Sequence, residues 1–261
     1  MENNTTLNFR KPFGGINANT LRFIACVLML LDHMWATVVP GNNWMTYLGR
    51  LAFPIFAFQI VEGFFHTSDV RRYAKRLLIF GLISEIPFNL MFSISPIYPF
   101  HQNVMFTLLI GLLCINELEK LRTFPKAGEV PKSAIIKALV FGVLKILGLL
   151  LLSIVGFTDY GGYGVLTIIL FYLCHHIKFG WIFQLAGMIY INIFAMKGLS
   201  IPIIIGGTEF MFPTQGFAVF SLLLIWLYNG KKGRSSKALQ YGFYAFYPAH
   251  MLVLAAIVLL A

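Results

Sequence analysis

The chain is predicted to be an all-α, polytopic transmembrane bundle of about nine spans, and three observations predict it. The first is composition: of 261 residues, 58% are hydrophobic and 11% charged, with a mean hydropathy of +0.78, against roughly 25% charged in a soluble domain. The second is that apolar runs recur near 21–39, 48–65, 76–93, 103–118, 134–157, 161–175, 179–196, 215–229 and 241–260. Most are near the length that crosses about 30 Å of hydrocarbon. The third is where the cations fall. Arg10 and Lys11 precede the first run; Arg71, Arg72, Lys75 and Arg76 follow the second; Lys120, Arg122, Lys126 and Lys132 follow the fourth; Lys178 follows the sixth; Lys231, Lys232, Arg234 and Lys237 follow the eighth. The alternate loops carry almost none, so the N-terminus is expected in the cytoplasm and the C-terminus outside. A net charge of +10 divided in this way among short loops is no nucleic-acid surface. Residues 1–20 read as a cytoplasmic tail and 21–261 as one integral-membrane domain. The first run has no small-residue cleavage site and reads as a retained span.

The first span, LRFIACVLMLLDHMW from Leu21, holds Arg22, Asp32 and His33. Eleven residues separate Arg22 from His33, about three helical turns, so both lie on one stripe roughly 16 Å apart. Asp32 and His33 are turned about 100° from one another, so a partner for His33 is expected from another helix. The second span carries Arg50 near its outer end, then Pro54, and then Glu62 and His66 on one face. In the third, Glu85 and Asn89 are one turn apart around Pro87. Each intramembrane charge costs on the order of 3 kcal/mol if unpaired, so Asp32, Glu62 and Glu85 are expected to converge on Arg50, on each other or on a watered cavity. In the fourth, Asn103, Thr107 and Gly111 form a stripe that reads equally as packing seam or binding surface.

The fifth span is apolar apart from Lys145 and Ser153, and Lys145 is expected to reach a neighbouring carboxylate. The turn TDYGGYGVL, 158–166, reads as interfacial anchors in preference to the rim of a pocket. His175 and His176 beside Lys178 read as a cytoplasmic cap. The segment 199–215, too apolar for a plain loop, is expected to be re-entrant or to pack over the external mouth. In the last span Tyr247 and His250 share a face around Pro248. Cys26, Cys114 and Cys174 are odd in number and unclustered, and read as small buried hydrophobes. No metal-ligand spacing, Gly-rich nucleotide loop or G-x-S-x-G elbow is present, and no metal is expected.

An imidazole near carboxylates and an Arg is a natural general base. Acyl transfer needs such a base, a group to steady the oxyanion and a cationic seat for the carrier's phosphates. His33 and His250 are candidate bases, Asn89, Asn103, Tyr247 and Arg50 candidate oxyanion donors, and the basic loops, with Arg71, Arg72 and Arg76, a candidate phosphate seat.

The segments LRFIACVLMLLDH, LGRLAFPIFAFQIVEGFFHT, RRYAKRLLIFGLISEIPFNLMF, QNVMFTLLIG, LYNGKKG and YAFYPAH, in that order, resemble the blocks of the TraX family, whose namesake is the conjugative-plasmid pilin N-terminal acetylase. The resemblance runs from Leu21 to about Met251 and is concentrated in the first hundred and last thirty residues. A basic residue, ten others, then His also resembles the pattern of integral-membrane acyltransferases that modify envelope glycans. The resemblance implies a multipass acetyltransferase of a bacterial cytoplasmic membrane. It would take the acyl group from acetyl-CoA and place it on a peptide amine or a glycan hydroxyl. It makes His33 the catalytic imidazole and Arg22 the basic group nearer the carrier. Asp32, Glu62 and Glu85 would share in catalysis, with Arg50, Asn89, Asn103 and His250 as further polar lining. The acceptor stays open, and so does an acyl-His33 intermediate against direct transfer. A transporter using the same buried charges and a non-catalytic assembly protein are the rival readings.

Overall fold

Most of these apolar runs become helices, and three of them begin at a side chain that caps the first turn. A computed structural model describes residues 15–125, 128–175, 177–196, 198–234 and 236–260. Arg10, Lys11, Lys126, His176 and most of the 1–20 tail lie outside these described residues. Helix α1 (Ala18–Thr37) starts where Asn17 accepts the Thr20 N–H at 3.0 Å. Asp69 caps α4 (Val70–Ser93) through the Arg72 N–H, and Asn103 caps α5 (Val104–Arg122) through the Met105 N–H. The second run breaks at Arg50–Leu51 into α2 (Asn43–Gly49) and α3 (Ala52–His66), with Pro54 in the first turn of α3, where its missing N–H is no loss. The rest follow as α6 (Lys132–Val155), α7 (Gly161–His175), α8 (Gly180–Ile189, continuing as a π-helical turn Tyr190–Ala195), α9 (Ser221–Trp226, after a 3-10 turn Thr214–Phe220) and α10 (Lys237–Leu260).

Five helical stretches among the described residues are long and apolar enough to cross a membrane, against about nine expected: Ala18–Thr37, Asn43–His66, Val70–Ser93, Lys132–Val155 and Lys237–Leu260. Gly161–His175, Gly180–Ala195 and Thr214–Trp226 are apolar but shorter. The all-α expectation also needs correction at 199–215. Ser200–Ile205 (β1) and Thr208–Pro213 (β2) pair antiparallel around Gly206 and Gly207, both at positive φ, which only a tight glycine turn makes easy. Ile201, Ile203, Phe210 and Phe212 suit strands, and Pro202 and Pro213 disfavour a helix.

Helix α3 is the axis of the bundle, with Ile55, Ala57 and Val61 sealed in one core with Leu21 and Ala25 of α1, Leu112 and Ile115 of α5 and Ile168 and Phe171 of α7. The opposite extreme is α6, whose Phe141 and Leu151 are over 60% exposed, a face that only lipid would cover without penalty. The stripe on α5 is a packing seam below Asn103: a Cβ on Gly111 would meet Ile168, and Thr107 packs on Gly164 of α7.

Backbone pairing ties the two ends of the bundle. At one end Gly15 and Ile16 donate to the Leu227 carbonyl, and Asn229 donates back to Ile16. At the other, Gln102 N–H reaches the Phe157 carbonyl at 2.9 Å and Asp159 N–H the Gln102 carbonyl at 2.8 Å. The second clamp sets the loops before α5 and α7 over the His33 end of α1.

Candidate functional site

His33 finds its partner on α10. Its Nδ1 lies 2.8 Å from Nε2 of His250, with the rings stacked at a centroid distance of 4.9 Å. His250 Nδ1 is in turn 2.8 Å from the Phe246 carbonyl. A carbonyl only accepts, so His250 Nδ1 carries the proton and its Nε2 is the acceptor. His33 therefore donates from Nδ1, and its Nε2 holds the free lone pair. Phe92 meets the His33 ring edge-on at 5.6 Å.

Asp32, one residue earlier, faces away from this pair. Arg50 Nη2 is 3.2 Å from its Oδ1, and the Thr46 hydroxyl donates to the same oxygen at 2.7 Å. Arg50 also donates to Thr46 Oγ1 from Nε and Nη2. The break after Gly49 makes this arrangement possible, because a Cβ on Gly49 would sit 2.4 Å from the Asp32 Cβ.

Two cavities flank α1. The smaller, about 210 Å³, is lined by Asp32, His33, Arg50, His101, Asp159 and Tyr160 among the rings of Phe53, Phe88 and Phe92. His101 Nε2 lies 3.7 Å from Asp159, which holds the imidazole pKa above its ordinary value. Asp159 and Tyr160 belong to the 158–166 turn, so this part of the turn is the rim of a cavity and the anchor expectation gives way; Tyr163 remains exposed. The larger, about 420 Å³, surrounds the Arg22 end of α1. It is lined by Arg22, Arg76 and Lys232 with Asn19, Gln59, His66 and Tyr247, over an apolar floor that includes Cys26, Ile60 and Leu108. Among the described residues its lining contains three fixed cations and no carboxylate. Arg22 is aimed by Gln59, which accepts from Nε at 2.7 Å, and by the Phe243 ring 5.2 Å away. Arg76 Nε is buried without a partner.

A sequence profile described as TraX protein matches residues 17–258. The chain belongs to the TraX family. It is also 30% identical, over 91% of its length and 94% of the other's, to a protein described as probable fimbrial assembly protein FimC, serogroup H1, from Dichelobacter nodosus. No solved structure matches it.

Against the residues expected in a TraX-family site, the structure brings His33, Asp32 and Arg50 together around the smaller cavity, with His250 bonded to His33, and Arg22, Arg76 and Tyr247 around the larger. It does not bring in the others. Glu62 pairs with His175 Nε2 at 3.6 Å and with the Tyr228 hydroxyl. Glu85 accepts from Asn103 Nδ2 at 2.5 Å, and Asn103 also donates to the Gly81 carbonyl. Asn89 Nδ2 reaches the Pro96 carbonyl at 3.3 Å. Arg71 and Arg72 are exposed on the first turn of α4. His101, Asp159, Tyr160 and Gln59 were not singled out beforehand. Gln59, a lone amide inside an apolar run, carried a signal; the others lie in loops and acquire their place only through the Gln102–Phe157 clamp.

Proposed function

We propose that this TraX-family membrane protein is an acyltransferase that moves a short acyl group, acetyl in the simplest case, from acyl-CoA to an amine or hydroxyl of an envelope peptide or glycan. The observation that carries the reading is the His33–His250 relay at a cavity that adjoins a second, cation-lined one. In this reading Arg22, Arg76 and Lys232 hold the phosphates of the carrier, a role for which their lack of facing carboxylates suits them. In this reading that cavity opens to the cytoplasm, as the basic loops favour, with the N-terminus inside and the shorter apolar helices completing the membrane domain of a bacterial cytoplasmic membrane.

The chemistry follows from the tautomers. Nε2 of His33 takes the proton of the acceptor N–H or O–H as that atom attacks the thioester carbonyl. The new C–N or C–O bond forms, the C–S bond breaks, and the proton passes to the departing thiolate, giving acylated acceptor and free CoA. The His250 acceptor nitrogen stabilises charge building on His33 through the 2.8 Å bond. Tyr247, which lines the larger cavity with its ring centre 6.5 Å from that of His33, offers its O–H to the developing oxyanion. Asp32, salt-bridged to Arg50, is an architectural element of the cavity wall.

The test is to reconstitute the purified protein in lipid nanodiscs with acetyl-CoA and an envelope peptide fraction, following CoA release and acetylated product by mass spectrometry. Product that depends on His33 supports the reading. Proton flux in liposomes with no transfer from any short acyl-CoA would favour the transporter in its place.

A further inference from the structure

The two cavities touch the same three side chains and no others: Met29 of α1, Phe56 of α3 and Val104 of α5. Met29 and Val104 are 8% exposed, and neither they nor Phe56 offers a polar atom. All the cations of the larger cavity lie on one side of this waist, and the imidazole lies on the other. On the acyltransferase reading, a carrier seated by Arg22, Arg76 and Lys232 must therefore send its acyl end between these three side chains to meet His33 Nε2.

The room beyond the waist is small and its walls do not give. Phe53 stacks on Tyr160 at 3.9 Å, Phe88 meets Phe92 at 4.9 Å and His101 at 4.8 Å, and Phe92 is braced on His33. Interlocked rings at interior packing density leave little slack for an added methylene. Met29, unbranched and flexible, is the adaptable member of the waist.

We propose that Met29, Phe56 and Val104 form an apolar aperture that, with the walled room beyond it, sets the size of the acyl group this protein accepts, admitting a short acyl to the imidazole and excluding longer ones for want of room. The same aperture keeps water of the cation-lined cavity from the thioester carbonyl. This inference rests on the acyltransferase reading and adds the residues that set its donor range.

The experiment is a competition between acetyl-, propionyl-, butyryl- and hexanoyl-CoA for transfer by the full chain in nanodiscs. Met29→Ala should raise the butyryl-to-acetyl ratio of kcat/KM by about tenfold or more, the discrimination that a methylene or two commands in an apolar pocket. Val104→Ile, which narrows the aperture, should lower the propionyl-to-acetyl ratio by a comparable factor. Met29→Leu, similar in volume, should keep the wild-type ratio. If Met29→Ala does not fold, the Val104→Ile ratio decides alone. Transfer with unaltered ratios in these variants would overturn the aperture and leave the acyltransferase reading standing. No transfer from any acyl-CoA by the wild-type chain would overturn both.

Discussion

The two cavities beside α1 use charge in opposite ways. Around the smaller one most ionisable side chains are matched within the protein: Asp32 with Arg50, His101 with Asp159, His33 with His250. The larger one is lined by Arg22, Arg76 and Lys232, with no carboxylate among the described residues of its lining. A self-satisfied cluster is held in one geometry, and cations without a carboxylate keep their capacity for an anion. The difference teaches that two cavities a few side chains apart can be told apart by what each charge is paired with, and not by burial of charge alone.

The contrast breaks most sharply at His33. His33→Ala should lower transfer by about 10²- to 10⁴-fold, the range for loss of a positioned general base, with normal membrane yield; unchanged turnover would leave the smaller cavity without its chemistry. Next comes the wall. Asp32→Ala leaves the Arg50 guanidinium half-buried without its carboxylate and should cost about 3 kcal/mol or more, seen as a lowered unfolding midpoint in detergent. Asp32→Ala combined with Arg50→Ala should recover part of that loss.

In the larger cavity the effect should be smaller and of another kind. Arg22→Ala or Arg76→Ala should each raise KM for acyl-CoA about tenfold, the worth of one charge-assisted hydrogen bond, with kcat moved far less. A fall in kcat alone would place those cations in the reaction itself. The smallest effect belongs to the rim. Asp159 raises the His101 pKa from its ordinary 6.5, so the contribution of the pair is complete below that value and fades as pH climbs through the raised one. With the His101 side chain 41% exposed, solvent screening holds this to under about 1 kcal/mol. Stability measured at about pH 6 and about pH 8 should differ in that direction, and His101→Gln should flatten the difference.

The sequence could be read for whatever depends on composition along one segment. The runs, the Arg22–His33 stripe, a His33 partner from another helix and the carboxylate partner of Lys145, which is Glu117 at 3.6 Å, all rest on local spacing or on the penalty for an unpaired charge. Of about nine expected spans, five described helices have the length and apolarity to cross a membrane, because apolar composition does not report length: Gly180–Ala195 and Thr214–Trp226 are apolar but shorter. The hairpin at 200–213 does carry a sequence signal, Gly206–Gly207 between two β-prone runs, which a reading by overall apolarity passes over. Glu62 and Glu85 were assigned to the reacting centre by their cost in lipid, a cost that His175, Tyr228 and Asn103 already offset elsewhere. Which of several buried charges meet is a question of helix neighbours, and a single sequence carries little of that.

Gly49 has a consequence that reaches beyond this molecule. With the backbone of the short helix α2 pressed onto Asp32, position 49 admits no larger residue while an aspartate stands at 32. Across natural relatives the two positions should change together: any chain that has gained a side chain at 49 should have surrendered the carboxylate, and with it the reason to keep an arginine at 50. A set of genomes, with no crystal and no assay, is enough to look.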